Sequence, residues 1–111
     1  MMYLPKTDLY NLLLSLGYQV YQVRPEVISD FPCITFNVSN NEMFIDLNKQ
    51  IGYQQMIFNI DIWANSSSES SGILQEVEEL LRGNSYRLQD SFDVVDPDGY
   101  SHIATRFLFI N

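Results

Sequence analysis

Gln55-Met56-Ile57-Phe58-Asn59-Ile60-Asp61-Ile62-Trp63-Ala64-Asn65-Ser66-Ser67-Ser68-Glu69-Ser70-Ser71-Gly72-Ile73-Leu74-Gln75-Glu76-Val77-Glu78-Glu79-Leu80-Leu81-Arg82 spells a strand, a helix cap and a helix in succession. Met56, Phe58, Ile60 and Ile62 fall on one side of a period-two strand, while Asn59 and Asp61 fall on the other, which describes a sheet with one buried face. The strand is expected over Gln54–Ala64. Ser66 with Glu69 three residues later forms a capping box, in which the serine oxygen takes one free backbone N–H and the glutamate covers another. Ile73, Leu74, Val77, Leu80 and Leu81 then make an apolar face wide enough to lie on that sheet, with Gln75, Glu76, Glu78 and Glu79 opposite. Arg82 suits both Glu78 at i,i+4 and the carboxyl end of the helix dipole, and Gly83-Asn84 predicts a left-handed stop.

Upstream, Leu9, Leu12, Leu13 and Leu16 stand at i, i+3, i+4 and i+7 and predict a first helix over Pro5–Leu16, with Pro5 in its first turn and Gly17 at its end. Tyr18–Val23 reads as a short strand stopped by Arg24-Pro25, and Glu26–Phe31 as a connecting loop. Pro32 opens a strand over Cys33–Ser39, and Asn40-Asn41 is expected to break or turn it. Residues 41–53 read as a long hairpin arm tipped by Asn48-Lys49-Gln50. Downstream, Tyr86 to about Val95 and Ser101–Ile110 read as a hairpin. Asp96-Pro97-Asp98-Gly99 joins them, with the residues of a type I turn and a glycine for the bulge of a three-residue loop. The expected fold is a single α+β domain over residues 1–111: a mixed or antiparallel sheet of about 4–5 strands, two helices on one face, and the arm.

At 111 residues the chain has room for one domain, and 46% hydrophobic with 18% charged residues is the composition of a globular protein. A net charge of −8 lacks the basic footprint that neutralises nucleic-acid phosphates, so sequence-specific nucleic-acid binding is not expected. A negative wall also repels DNA and lets it pass without sticking, if the chain builds a ring or channel. Cys33 stands alone, which excludes an intrachain disulfide and a thiolate metal cluster, and it reads as a small buried hydrophobe. Met1–Pro5 has no basic region followed by an apolar run, and no segment is long and apolar enough to cross a bilayer. No membrane association is expected, and the chain is expected to stay where it is made.

His102 is the only histidine. A Ser-His-Asp set built on it is the one catalytic reading the residues permit, set against a histidine on the solvent side of a strand in which it alternates with Ile103, Thr105, Phe107 and Phe109. Asp90, Asp93, Asp96 and Asp98 fail the spacing of a calcium loop, because counting back from Gly99 places Val94 at the first ligand position. The five glycines never approach a phosphate-loop spacing. No metal or cofactor is expected. Aromatic residues outside the core pattern remain: Phe44 and Tyr53 on the arm, and Trp63 opposite Phe58, Ile60 and Ile62. Such residues anchor interfaces, and for Trp63 a second buried layer is the competing reading. The candidate interface set is Phe44, Leu47, Ile51, Tyr53, Asn59, Asp61 and Trp63.

In order and spacing, Phe31-Pro32-Cys33-Ile34-Thr35-Phe36, then Ile60-Asp61-Ile62-Trp63-Ala64 followed by serines, then Val77-Glu78-Glu79-Leu80-Leu81, an aspartate-rich strand and a closing His102-Ile103-Ala104-Thr105-Arg106-Phe107 resemble the tail-completion or tail-terminator proteins of long-tailed bacteriophages, also called head-to-tail joining proteins. The resemblance runs along nearly the whole chain. It implies a non-enzymatic virion protein, assembled as a hexameric ring that caps the tail tube and joins it to the connector beneath the capsid. The arm and outer strand face would meet neighbouring subunits, the tail tube protein or the connector. DNA would pass through the acidic lumen, and assembly would take place in the host cytoplasm. Alternatives are a head-side connector or stopper protein of the same joint, a small ligand-binding or hydrolase domain using His102, and a regulatory adaptor outside the virion.

Overall fold

A computed structural model describes the backbone of residues 5–22, 31–45, 51–94 and 99–110, and the side chains of 7–22, 31–38, 56–94 and 99–109. Helix α1 spans Pro5–Leu14, ending earlier than its leucine spacing suggests. Its last turn tightens into i→i+3 bonds, Leu16 N–H to Leu13 O at 3.1 Å and Gly17 N–H to Leu14 O at 3.0 Å. Gly17 then turns the chain at φ 90°, a conformation that costs a residue with a Cβ about 1–2 kcal/mol. Leu9 and Leu13 are fully buried, while Leu12 and Leu16 pack against the same core at its margin.

Strand β1 (Gln19–Tyr21) pairs in parallel with β2 (Cys33–Ile45), which pairs antiparallel with β3 (Ile51–Ala64). Helix α2 (Ser67–Arg82) leads to β4 (Tyr86–Val94) and β5 (Ser101–Ile110), and the sheet order is β1-β2-β3-β5-β4. The fold is α+β with a five-stranded mixed sheet. Two expectations need correction. Asn40-Asn41 does not break β2: a bulge between Val38 and Asn40 absorbs one residue, and pairing with β3 resumes from Asn40↔Ile57 to Ile45↔Ile51. β1 is shorter than Tyr18–Val23, since Tyr18 precedes it and Gln22 follows it. The Glu26–Asp30 part of the expected loop, the arm tip with Leu47, and Asp96-Pro97-Asp98 lie outside the described residues. Gly99, at the end of that last turn, has φ 87°.

One core forms between the helices and one face of the sheet. Ile34 and Phe36 from β2, Phe58, Ile60 and Ile62 from β3, and Ile103, Phe107 and Phe109 from β5 meet Leu9 and Leu13 of α1 and Ile73, Val77 and Leu81 of α2. The helix cap works as its residues foretell, with one shift. Glu69 N–H donates to Ser66 Oγ at 3.2 Å, and Glu69 Oε1 accepts from the N–H of Asn65 at 3.0 Å, one residue ahead of the cap. Inside the helix–sheet layer Ser70, buried, shares a 2.6 Å hydrogen bond with Ser101 of β5, so its hydroxyl is satisfied where α2 crosses the sheet.

The stop of α2 differs from the expectation. Gly83 is right-handed at φ −73°, and Ser85 carries the positive φ of 73°. Asn84 makes this possible by donating from its side chain to Leu80 O at 2.8 Å and from its backbone to Leu81 O at 2.9 Å, which satisfies carbonyls that a left-handed glycine otherwise serves. Two substitutions test the assignment. Gly83→Ala is expected to stabilise the chain by about 0.4–1 kcal/mol, because its backbone suits alanine and the added Cβ meets nothing closer than 3.6 Å. Ser85→Gly is expected to stabilise it by about 0.5 kcal/mol through relief of left-handed strain. In thermal unfolding, a loss of stability in Gly83→Ala is the result that contradicts this turn.

Tyr18 ties the start of β1 to α2 by donating its phenol proton to Glu76 Oε2. That bond, then desolvation and the charges of Glu76 and Glu69, push the phenol pKa up from 10.0 to about 12. Since the folded-state value exceeds the unfolded one, the linked stability is fully present below pH 10 and is lost as pH rises from 10 towards about 12. Difference absorbance between the parent and Tyr18→Phe is expected to show this late titration, and Glu76→Gln is expected to bring it back towards the ordinary tyrosine range.

Candidate interaction face

The side of the sheet opposite the helices is built by the alternate residues of the same strands. Register places Asn37, Asn59, Arg106 and Asp90 in one row across β2, β3, β5 and β4, and Thr35, Asp61, Ala104 and Phe92 in the next. A third row runs Cys33, Trp63, His102 and Val94. Neither described helix lies over this side, because the core-facing residues of both helices meet the other.

The rows differ in character. At the Trp63 end a second small buried cluster forms: Trp63 is 1% exposed beside fully buried Cys33, with Tyr21 and Phe31 packed against them. Trp63 Nε1–H donates to Thr35 Oγ1 at 3.1 Å. The His102 ring stacks on the indole with centroids 3.6 Å apart and planes at 14°, as expected of a direct cross-strand pair. Its Nε2 stands 3.4 Å from Asp61 Oδ2, outside hydrogen-bond alignment. Trp63 therefore occupies a second buried layer in the subunit, the competing one of the two readings open for the indole. His102 likewise is mostly enclosed rather than on an open strand face, because the indole covers one side of its ring.

The middle rows stay open. Asn59 Nδ2–H donates to Asn37 Oδ1 at 3.1 Å, Arg106 reaches Asp90 at 3.7 Å, and Phe92 is 60% exposed. The Arg106–Asp90 pair is solvated and contributes about 0–1 kcal/mol. Asn59, Asp61 and Trp63 of the expected interface set thus share one face. Phe44 and Tyr53 pair directly across the β2–β3 ribbon and Ile51 pairs with Ile45, which fixes backbone register alone. Phe92, Arg106 and Asn37 were missed as members of the face. Phe92 shares its side of β4 with Asp90 and Val94 at period two, a signal available in the sequence; its neighbours on β5 depend on strand order, which is not.

The catalytic reading of His102 does not assemble around its neighbour. Ser101 lies on the opposite face, its hydroxyl engaged with Ser70 under α2, and among the described residues no serine hydroxyl is hydrogen-bonded to His102. A shallow groove at the sheet end is lined by Ser66, Ser67, Asp93 and His102 among others, but the imidazole's contacts there are to Trp63 and Asp61. Among the described residues, no group of three or more His, Cys, Asp or Glu side chains is placed to hold a metal ion. Charge is distributed unevenly: α2 carries Glu69, Glu76, Glu78 and Glu79 against Arg82, whereas Asp61 and Asp90 on the sheet face are matched by Arg106 and Arg87.

No family model matches this chain, and no curated protein matches it in sequence. Solved structures do match: one is a chain of the "Virion of native gene transfer agent (GTA) particle", similar with a TM-score of 0.60 and 13% identity over 95% of this chain and 90% of that one. At that identity the likeness is one of fold.

Proposed function

We propose that the chain is a structural subunit of a phage-type virion, placed where tail meets head, where copies form a ring that caps the tail tube and joins it to the connector. The observation that carries this reading is the fold shared along nearly the whole of both chains with a component of a gene transfer agent virion. The ordered sequence resemblance to tail-terminator proteins points the same way. A sheet face with balanced charge and an exposed Phe92 suits contact with protein. The acidic outer side of α2 suits a wall past which DNA slides, because like charge keeps phosphates from adhering. The tail side of the joint, the hexamer and the tail tube protein as partner are the finer parts of the proposal.

The test is direct. Purified chain is added to tail tubes assembled without their terminal protein, and the tube ends are imaged and then offered filled heads. Rings at one end and restored joining are expected. Recovery of the chain with DNA-filled heads instead would move it to the head side of the joint as a connector or stopper, and recovery with neither would remove the virion role.

A further inference from the structure

We propose that the groove between the end of α2 and the start of β4 seats a short extended segment of an acidic partner protein, which lies along the outer edge of β4 over Tyr86–Leu88. That the segment comes from a virion joint rests on the assembly reading above, whereas the seat itself stands on this chain's own residues.

Charge singles the place out. The chain carries −8 overall. Among the described side chains the permanent cations are Arg82, Arg87 and Arg106, and the first two border one groove of about 540 Å³ in which Glu78 is the acid. Two arginines against one glutamate leave a local +1. Arg106 is already turned to Asp90 at 3.7 Å and Arg82 to Glu78 at 3.5 Å. Arg82 nevertheless keeps 67% of its side chain in solvent, and its fork of donors has room for a second carboxylate. Among the described residues no carboxylate stands within ion-pair reach of Arg87.

The strand edge supplies the backbone partner. β4 is last in the sheet order and among the described residues pairs with β5 alone, so its outer side is a template for an added strand. Tyr86↔Phe109, Arg87↔Leu108 and Leu88↔Phe107 are consecutive pairs, which makes that template regular over three residues. Past Leu88 the ladder skips Gln89, and a regular strand cannot follow the bulge. Asp90 and Asp93 lie beyond it and repel an acidic segment. Shape and charge therefore close the seat at the same residue.

Alternation fixes what the segment must carry. Leu88 shares the helix side of β4 with Tyr86, while Arg87 turns to the other side. Leu88, 36% exposed, is covered by an apolar residue laid beside it. Arg87 calls for a carboxylate on the opposite side, and Arg82, at the end of the helix above, for a second carboxylate beside Tyr86. Two consecutive acidic residues next to an apolar one meet all three demands. A nucleic-acid phosphate fits less well, because Leu88 offers it nothing, Glu78 repels it, and the chain as a whole is negative.

A blocked peptide with Val-Glu-Glu-Val at its centre reads the same in either strand direction and serves as the probe. Added at millimolar concentration to isotope-labelled chain, it is expected to shift the amide signals of Gly83, Ser85, Arg87 and Leu88 and to slow hydrogen exchange on that stretch of β4. A peptide with Val-Lys-Lys-Val in its place is expected to leave them unmoved. Arg87→Glu should weaken binding by about tenfold or more, with the unfolding midpoint unchanged because that side chain is exposed. The seat is overturned if the acidic peptide moves none of these signals, or if the lysine peptide moves them as far. A single-stranded oligonucleotide that moves them with the same dependence on Arg87 would make the groove a phosphate seat, and shifts that grow with chain concentration alone would give it to a second copy; either result overturns the partner segment. Chain that caps tails and joins heads while ignoring the peptide would sink the seat and keep the virion role. Chain that binds the peptide at the groove but is recovered with neither tails nor heads would do the reverse.

Discussion

Replacing Trp63 by alanine is expected to lower the stability of the free subunit by about 3–5 kcal/mol, read from urea unfolding. The indole is buried against Cys33, stacked on His102 and hydrogen-bonded to Thr35, so its removal leaves a cavity and takes the donor away from a buried hydroxyl. Trp63→Phe keeps a ring in the stack but loses the N–H, and about 1–2 kcal/mol is expected to go with it. An interface anchor held for a partner behaves differently: its truncation changes the stability of the free chain by about 0.5 kcal/mol or less. Phe92→Ala is expected to behave in that second way, since that ring is 60% exposed. If Trp63→Ala unfolds at the parent midpoint, the second buried layer is wrong and the indole belongs to an interface.

The contrast between these two rings shows where the sequence was legible. Local chemistry was readable: leucine spacing in α1, alternation in β3, and the Ser66–Glu69 cap each depend on residues a few positions apart. The stop of α2 was misread because Asn84 closes the helix with its side chain, leaving Gly83 right-handed and moving the turn to Ser85. Asn40-Asn41 was misread because a bulge and a break use the same residue types, and the difference lies in whether a partner strand continues alongside. Trp63 was placed on the correct side of its strand, but Cys33, Tyr21 and Phe31, which cover it, come from other segments. Strand order was the least accessible: β5 enters between β3 and β4, which puts His102 beside Trp63 and leaves β4 at the edge. The face that the functional proposal uses exists only once that order is known.

Phe58→Ala is expected to have an effect as large as any substitution in the helix-side core, about 3–5 kcal/mol. Phe58 is fully buried, lies between Val38 and Phe107 across the sheet, and has the Tyr86 ring 6.0 Å away, so no neighbour can collapse into its space without dragging a strand. Domains of this size are stable by about 5–15 kcal/mol in total, which puts the variant near the limit of folding. Asn59→Ala, the next residue along β3, removes an exposed hydrogen bond to Asn37 and should cost about 1 kcal/mol or less. The ratio between neighbours measures the one-sided sheet directly, because period two turns adjacent side chains to opposite faces. Phe58 also stands at the height of Val38 and Leu88, where β2 and β4 carry their bulges. Phe58→Leu, which keeps volume enough to fold, should therefore also loosen the heights of both edges, and hydrogen exchange is expected to rise at Val38 and Leu88 while the α2 amides stay protected. Equal losses in Phe58→Ala and Asn59→Ala, or faster exchange confined to α2, would mean that the core does not sit where the register puts it.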